Sequence, residues 1–143
     1  MRSVRCLVGS TVLVAMTLSS TAGRADERKA CVEAADSGQS LRDQGKLVEA
    51  RDSFVKCARE VCPGVVSHQC ATWLSDVDLQ IATISVRVTD GSGKDLIDVG
   101  VWIDGVSTPS AADGRALSIN PGVHRFRFTH GIDTVEQEVV IRG

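Results

Sequence analysis

Residues 31–73 read CVEAADSGQSLRDQGKLVEARDSFVKCAREVCPGVVSHQCATW, and they hold four of the chain's five cysteines. Apolar residues recur here at helical spacing. Cys31, Ala34, Gly38 and Leu41 fall three to four residues apart, the mark of a helix that buries one face. The pattern predicts a first helix over residues 26–44. Asp26 and Glu27 suit the positive end of its dipole, and Gly45 supplies a left-handed residue to end it. Leu47, Ala50, Phe54, Cys57 or Ala58, and Val61 predict a second helix over residues 47–61, stopped by Pro63-Gly64. Val66, Cys70, Trp73, Leu74 and Val77 predict a third over residues 65–81.

A short turn at Gly45 makes the first two helices antiparallel neighbours. Cys31 lies 14 residues before that turn and Cys57 lies 12 after it, so both are expected at similar height on facing stripes. Cys62 and Cys70 flank the Pro-Gly stop. The expected pairing is therefore Cys31–Cys57 with Cys62–Cys70, whose loops would contribute about 3.5 and about 2.5 kcal/mol through chain entropy. Cys31–Cys62 with Cys57–Cys70 is the alternative.

Upstream, Arg2 and Arg5 precede an apolar run from Cys6 to Leu18, then small residues ending in Ala22 and Ala25. This is the three-part pattern of a secretory signal peptide over residues 1–25, with cleavage expected after Ala22 or Ala25. The run is short for a membrane span. Export to the periplasm, the cell envelope or the exterior removes Cys6 and leaves Cys31, Cys57, Cys62 and Cys70 for two disulfides. Losing Arg2, Arg5 and Arg24 leaves 13 basic residues against 18 acidic ones, a net charge of -5. Nucleic acid and anionic membrane are poor partners for such a chain. Phe54, Trp73, Trp102, Phe126 and Phe128 are its aromatics, with no Tyr, which weakens any stacking platform for bases.

Downstream, the period changes from helical to two. Ile84, Val86 and Val88 alternate with polar residues, as do Val99, Val101 and Ile103. Turn signals at Asp90-Gly-Ser-Gly93, Asp104-Gly105, Asp113-Gly114, Pro121-Gly122 and Gly131 separate five or six short strands. An antiparallel β-sandwich over residues 83–143 is the natural architecture. Folding the last hairpin about Gly131 and Ile132 sets Arg127 opposite Glu136, Arg125 opposite Glu138 and Phe128 opposite Val135. Opposite charges then share one face and apolar residues the other. Ala82-Thr83 is the only connection to the helical unit of residues 26–82, so a fixed junction is expected. Trp102 is out of phase with Val101 and Ile103 and should point away from the sheet core. Either the helical unit covers it, or it is an exposed anchor for a partner.

Two resemblances add to this reading. Gly38, Leu41, Gly45, Ala50 and Phe54, with Cys57 where Ala is preferred and Pro63 at the end, resemble one tetratricopeptide repeat. Small Gly38 and Ala50 would let two helices approach, with Phe54 filling the space beside them. A single repeat forms no long groove. Val99-Gly-Val-Trp-Ile-Asp-Gly105, Asn120-Pro-Gly-Val-His-Arg-Phe126 and Glu138-Val-Val-Ile141 resemble the PEGA and carboxypeptidase-regulatory-like β domains, without the Pro-Glu-Gly-Ala signature itself. That resemblance implies a noncatalytic accessory domain of envelope proteins. The whole arrangement looks like that of short exported proteins of myxobacterial type.

Chemistry is weakly signalled. Cys57, Cys62, His68 and Cys70 offer the soft donors of a zinc set, but no Cys-x-x-Cys knuckle is present and export favours disulfides. Asp90, Asp95 and Asp98 lack calcium-loop spacing. His124 and His130 fall near opposite ends of one strand and read as surface residues. No cofactor motif or activated nucleophile stands out. The expected protein is α+β: a disulfide-stapled antiparallel three-helix unit followed by a small antiparallel sandwich. Its expected role is noncatalytic, an exported interaction or scaffold protein whose partner is a protein or an envelope component. The alternatives are a metal- or thiol-dependent enzyme or sensor, and a structural fragment of a longer envelope protein.

Overall fold

The computed structural model describes residues 21–143. Cys6 and the rest of the expected signal segment up to residue 20 lie outside the described residues. Helix α1 spans Thr21–Asp43, α2 Leu47–Cys57 and α3 Gly64–Asp78. The first helix therefore begins upstream of the expected residue 26, and Asp26 and Glu27 sit in its second turn. Gly45, at φ 75°, makes the turn into α2. Strands β1 (Ala82–Ile84), β2 (Gly100–Ile103) and β3 (Val106–Ser107) follow. After the one-turn helix α4 (Pro109–Ala112) come β4 (Leu117–Ile119), β5 (Gly122–His130) and β6 (Asp133–Ile141). The class is α+β, with two antiparallel sheets. One pairs β1 with β4, and the other runs β3-β2-β5-β6.

Phe54 is the centre of the helical unit. Its ring is fully buried with Ala50, Cys57, Cys70 and Val77, and Trp73 packs on it at 5.5 Å between centroids. Burying a ring of this size stabilises the fold by about 1.5–3 kcal/mol. Gly38 on α1 makes room for it: a Cβ there would overlap the Phe54 ring. The helices approach closely because glycine faces phenylalanine at the crossing.

The disulfides pair Cys31 with Cys62 and Cys57 with Cys70, at Cα separations of 5.7 and 5.8 Å. The expected Cys31–Cys57 and Cys62–Cys70 pairing is corrected. The cause is the length of α2, which stops at Cys57 rather than Val61. At about 1.5 Å rise per residue, the α1 position level with Cys57 lies nearer residue 33, and Cys31 lies lower. Residues 58–63 turn across that lower end and bring Cys62 to Cys31. Cys57, on the same stripe as Ala50 and Phe54, meets Cys70 on α3. The loops close over 31 and 13 residues, for which chain entropy contributes about 3.7 and about 2.9 kcal/mol taken singly.

In the β part, the apolar faces of both sheets share one interior. Ala82 and Ile119 of the small sheet are buried with Phe126 of the large one, and Val99 and Val101 are buried with Ala111. The hairpin β5–β6 has the expected register: Arg127 pairs with Glu136, Arg125 with Glu138 and Phe128 with Val135. Its two-residue turn has Gly131 at φ 59°, the first position of a type II′ turn, which only glycine occupies at low cost. Two expectations are corrected. Ala82 and Thr83 are not a linker but the start of β1, and the expected strand 84–88 pairs only as far as Ile84. β4 is three residues long and has no backbone left to offer residues 85–88.

Candidate functional site

No linker separates the two parts. Ile81 packs into the helical core and Ala82 into the sheet core, so the cores meet across one peptide bond. A second connection comes from Asn120, ahead of β5. Its side-chain oxygen accepts a hydrogen bond from the Val48 N–H at 2.8 Å, and its Nδ2 donates to Glu49 at 3.0 Å. The residue preceding α2 is Lys46, whose side chain does not cap the helix. Asn120 therefore caps α2 from 72 residues away in sequence. This satisfies one of the amides that a helix N-terminus leaves without a partner.

From Asn120 a polar chain continues into the sheet. His124 sets Nε2 against the Asn120 carbonyl at 2.8 Å and Nδ1 against Asp104 at 2.6 Å. The other oxygen of Asp104 accepts the Arg125 N–H at 2.9 Å. Asp104 opens the β2–β3 turn at φ 51°, followed by Gly105 at φ 83°, a type I′ turn. Burial works against its charge, but the Arg125 amide, the His124 ring and the Arg125 cation hold its carboxyl below its usual value. His124, expected as a surface residue, is thus an inward-held side chain, 12% exposed. The sequence signal was present in the Asp-Gly turn and the Asn-Pro-Gly-x-His run, but not the fact that they touch.

Beside this chain lies the outer face of the large sheet. Trp102 is on it, opposite the buried Val101. The indole covers Gly100, where a Cβ would fall 2.5 Å from the ring, and Arg127 stacks on it with its guanidinium carbon 4.5 Å from the centroid. Trp102 belongs to none of the three buried clusters, so the reading in which the helical unit covers it does not hold. It is half-buried, and its cover is Arg127 rather than the helices. A stack of this kind contributes about 0.5–2 kcal/mol. It also diverts Arg127 from Glu136, so of the two expected ion pairs only Arg125–Glu138 closes, at 3.2 Å, with both side chains exposed. Arg127 Nε is the one buried side-chain nitrogen or oxygen among the described residues without a partner. Arg125, Arg127, Glu136, Glu138 and Asp104 line a shallow hollow of ≈ 520 Å³ on this face.

The remaining candidates are dispersed. Cys57, Cys62 and Cys70 are bonded as disulfides and His68 is exposed, so the expected alternative zinc set is not assembled. Among the described residues no three His, Cys, Asp or Glu side chains group around a common point. Asp90 is engaged by its own turn, accepting from Ser92 Oγ at 2.6 Å and from the Ser92 and Lys94 amides, which lower its carboxyl from the usual value. Asp95 pairs with Arg87 at 2.6 Å. His130 is exposed at the β5 end. Within the described residues no helix is long and apolar enough to cross a membrane. Comparison with family models, with curated proteins and with solved structures returns no match.

Proposed function

We propose that the chain is an exported, noncatalytic interaction or scaffold protein of the cell envelope. In this reading the helical part is a single tetratricopeptide-like unit, and the two sheets form a PEGA-like sandwich. The observation that carries it is the closure of all four cysteines after residue 30 into two disulfides inside one small helical unit. Such cross-links persist in oxidising compartments and compensate for a small core. Asn120 and the Ile81–Ala82 step then hold that unit against the β part, giving a stiff frame that presents the outer sheet face. A partner would be a protein or an envelope component.

The test has two readouts. Mass analysis of the protein recovered from its native compartment should give a chain starting after Ala22 or Ala25, with Cys31–Cys62 and Cys57–Cys70 linked and no free thiol. A photo-reactive residue replacing Val123, beside Arg125 on the outer face, should cross-link to one envelope component reproducibly. Recovery from the cytoplasm with free thiols would overturn the export reading. Absence of any reproducible cross-link would overturn the interaction reading.

A further inference from the structure

We propose that β6 is a docking edge for an extended peptide strand that alternates basic and apolar residues. The proposal rests on the interaction reading above and names its surface and the chemistry of its partner. β6 is the outermost strand of the large sheet and runs for nine residues, Asp133–Ile141. The opposite edge, β3, has two. In a two-residue hairpin the pair flanking the turn, here His130 and Asp133, shares both backbone hydrogen bonds, and the bonded pairs then alternate. Residues 133, 135, 137, 139 and 141 therefore direct their amides and carbonyls to β5. Thr134, Glu136, Glu138 and Val140 direct theirs away from the sheet. An edge of this length is ordinarily blunted by charge, lysine above all, by proline, by a bulge or by a covering loop, and on β6 the charge is acidic, at Glu136 and Glu138. β6 has no lysine or proline, and its ladder with β5 is continuous through all nine pairs.

The two faces of the edge specify the occupant. On the outer face stand Glu136 and Glu138. Two copies of β6 in full antiparallel overlap would set Glu136 opposite Glu138 twice, which like-charge repulsion disfavours. Lysine or arginine at alternate positions of a foreign strand would meet those carboxylates instead. On the inner face, Val135 points toward the core side yet is 60% exposed. The interior is open here because residues 85–88 run past without pairing to either sheet. Two clefts, of ≈ 370 and ≈ 270 Å³, lie between that segment and β6. The first is lined by Val88, Phe128 and Val135, the second by Val86, Phe126 and Val139. The inward side chains of an added strand would enter this space, whose apolar walls are interrupted by Arg87 and Gln137 in both clefts. Main-chain bonding supplies affinity and alternate side chains supply selection, as in strand addition generally.

The experiment uses the oxidised chain and a capped nine-residue peptide alternating lysine and valine, with a glutamate–valine peptide as control. The lysine peptide should bind and the glutamate peptide should not. Binding should slow hydrogen exchange at the Thr134, Glu136, Glu138 and Val140 amides and leave the amides already bonded to β5 unchanged. Glu136→Lys should weaken the lysine peptide about tenfold and admit the glutamate peptide, with thermal unfolding and circular dichroism confirming that the variant folds. Equal binding of both peptides, or protection elsewhere than on β6, overturns the proposal. Concentration-dependent self-association protecting those same four amides also overturns it, because a second copy is then the occupant. If neither peptide binds while the Val123 cross-link still forms, the edge proposal fails and the interaction reading stands.

Discussion

The two halves of the molecule solve the small-core problem in opposite ways. The helical unit packs Phe54, Ala50, Cys57, Cys70 and Val77 to full burial and closes them with two covalent bonds. The β unit divides its interior into two smaller clusters, of which only Val101 and Ala111 fall as low as 2% exposure. It leaves one side apart, where Val135 and residues 85–88 border open clefts. A closed unit can hold a shape but has little to offer a strand or a side chain. An open one can bind but needs a support. The junction at Asn120 makes the first the support of the second.

The largest expected effect separates the two halves. Replacing Cys57 and Cys70 together by alanine removes the 13-residue loop and should cost about 3 kcal/mol from chain entropy. The two tryptophans report the parts separately, Trp73 from the helical unit and Trp102 from the sheet. With each retained in turn, the other being phenylalanine, thermal unfolding should lower the Trp73 midpoint by about 10 °C or more and move the Trp102 midpoint far less. If both midpoints fall together, the halves form one cooperative body and the contrast between them is only of packing.

A smaller effect tests the support itself. Asn120→Ala removes the oxygen that accepts from Val48 and the amide that donates to Glu49. Losing a helix cap costs about 1 kcal/mol. Hydrogen exchange at the Val48 amide should speed up, while the Cys31–Cys62 and Cys57–Cys70 bonds stay intact. The Trp73 and Trp102 transitions should also move apart relative to the unaltered chain. Unchanged exchange at Val48 would mean that α2 is capped by water and that the sheet does not brace it.

Much of this architecture was legible locally. Helical spacing located the three long helices but not the one-turn α4, and period-two alternation with charge pairing matched the β5–β6 register. Local signals failed where a distant partner decides. α2 has apolar spacing out to Val61, yet it ends at Cys57, and the residues after it turn across to carry Cys62 to Cys31. Ile84, Val86 and Val88 alternate like a strand, but β4 is too short to pair with all of them. Arg127 was expected at Glu136 from register alone, and the aromatic ring of Trp102 on the next strand outcompetes an exposed carboxylate. At the candidate surface, the phase of Trp102 was readable and its cover was not. The capping of α2 by Asn120 has no local trace, since the sequence around Lys46 looks like an uncapped start.

The smallest expected effect lies in acid, where the Asp104 contacts titrate. Its carboxyl is below the ordinary 3.8, because the Arg125 amide, the His124 ring and the Arg125 charge outweigh the opposing effect of burial. A carboxyl depressed in the folded state contributes stability that is fully present above its unfolded value. That contribution is lost as pH falls through the lower, folded one. The β unit should therefore lose this increment as pH falls below about 4. The carboxylate is largely exposed, so solvent screens it and the increment is small. Asp104→Asn isolates it, because asparagine tolerates the positive φ of this turn and keeps an oxygen for the Arg125 amide. The Trp102 midpoints of the two proteins should converge as pH drops from 5 toward 2, with Trp73 indifferent. A difference that persists unchanged at the lowest pH would mean that Asp104 acts through the shape of its turn and not through its charge. The polar chain from α2 to the sheet would then be a matter of geometry alone.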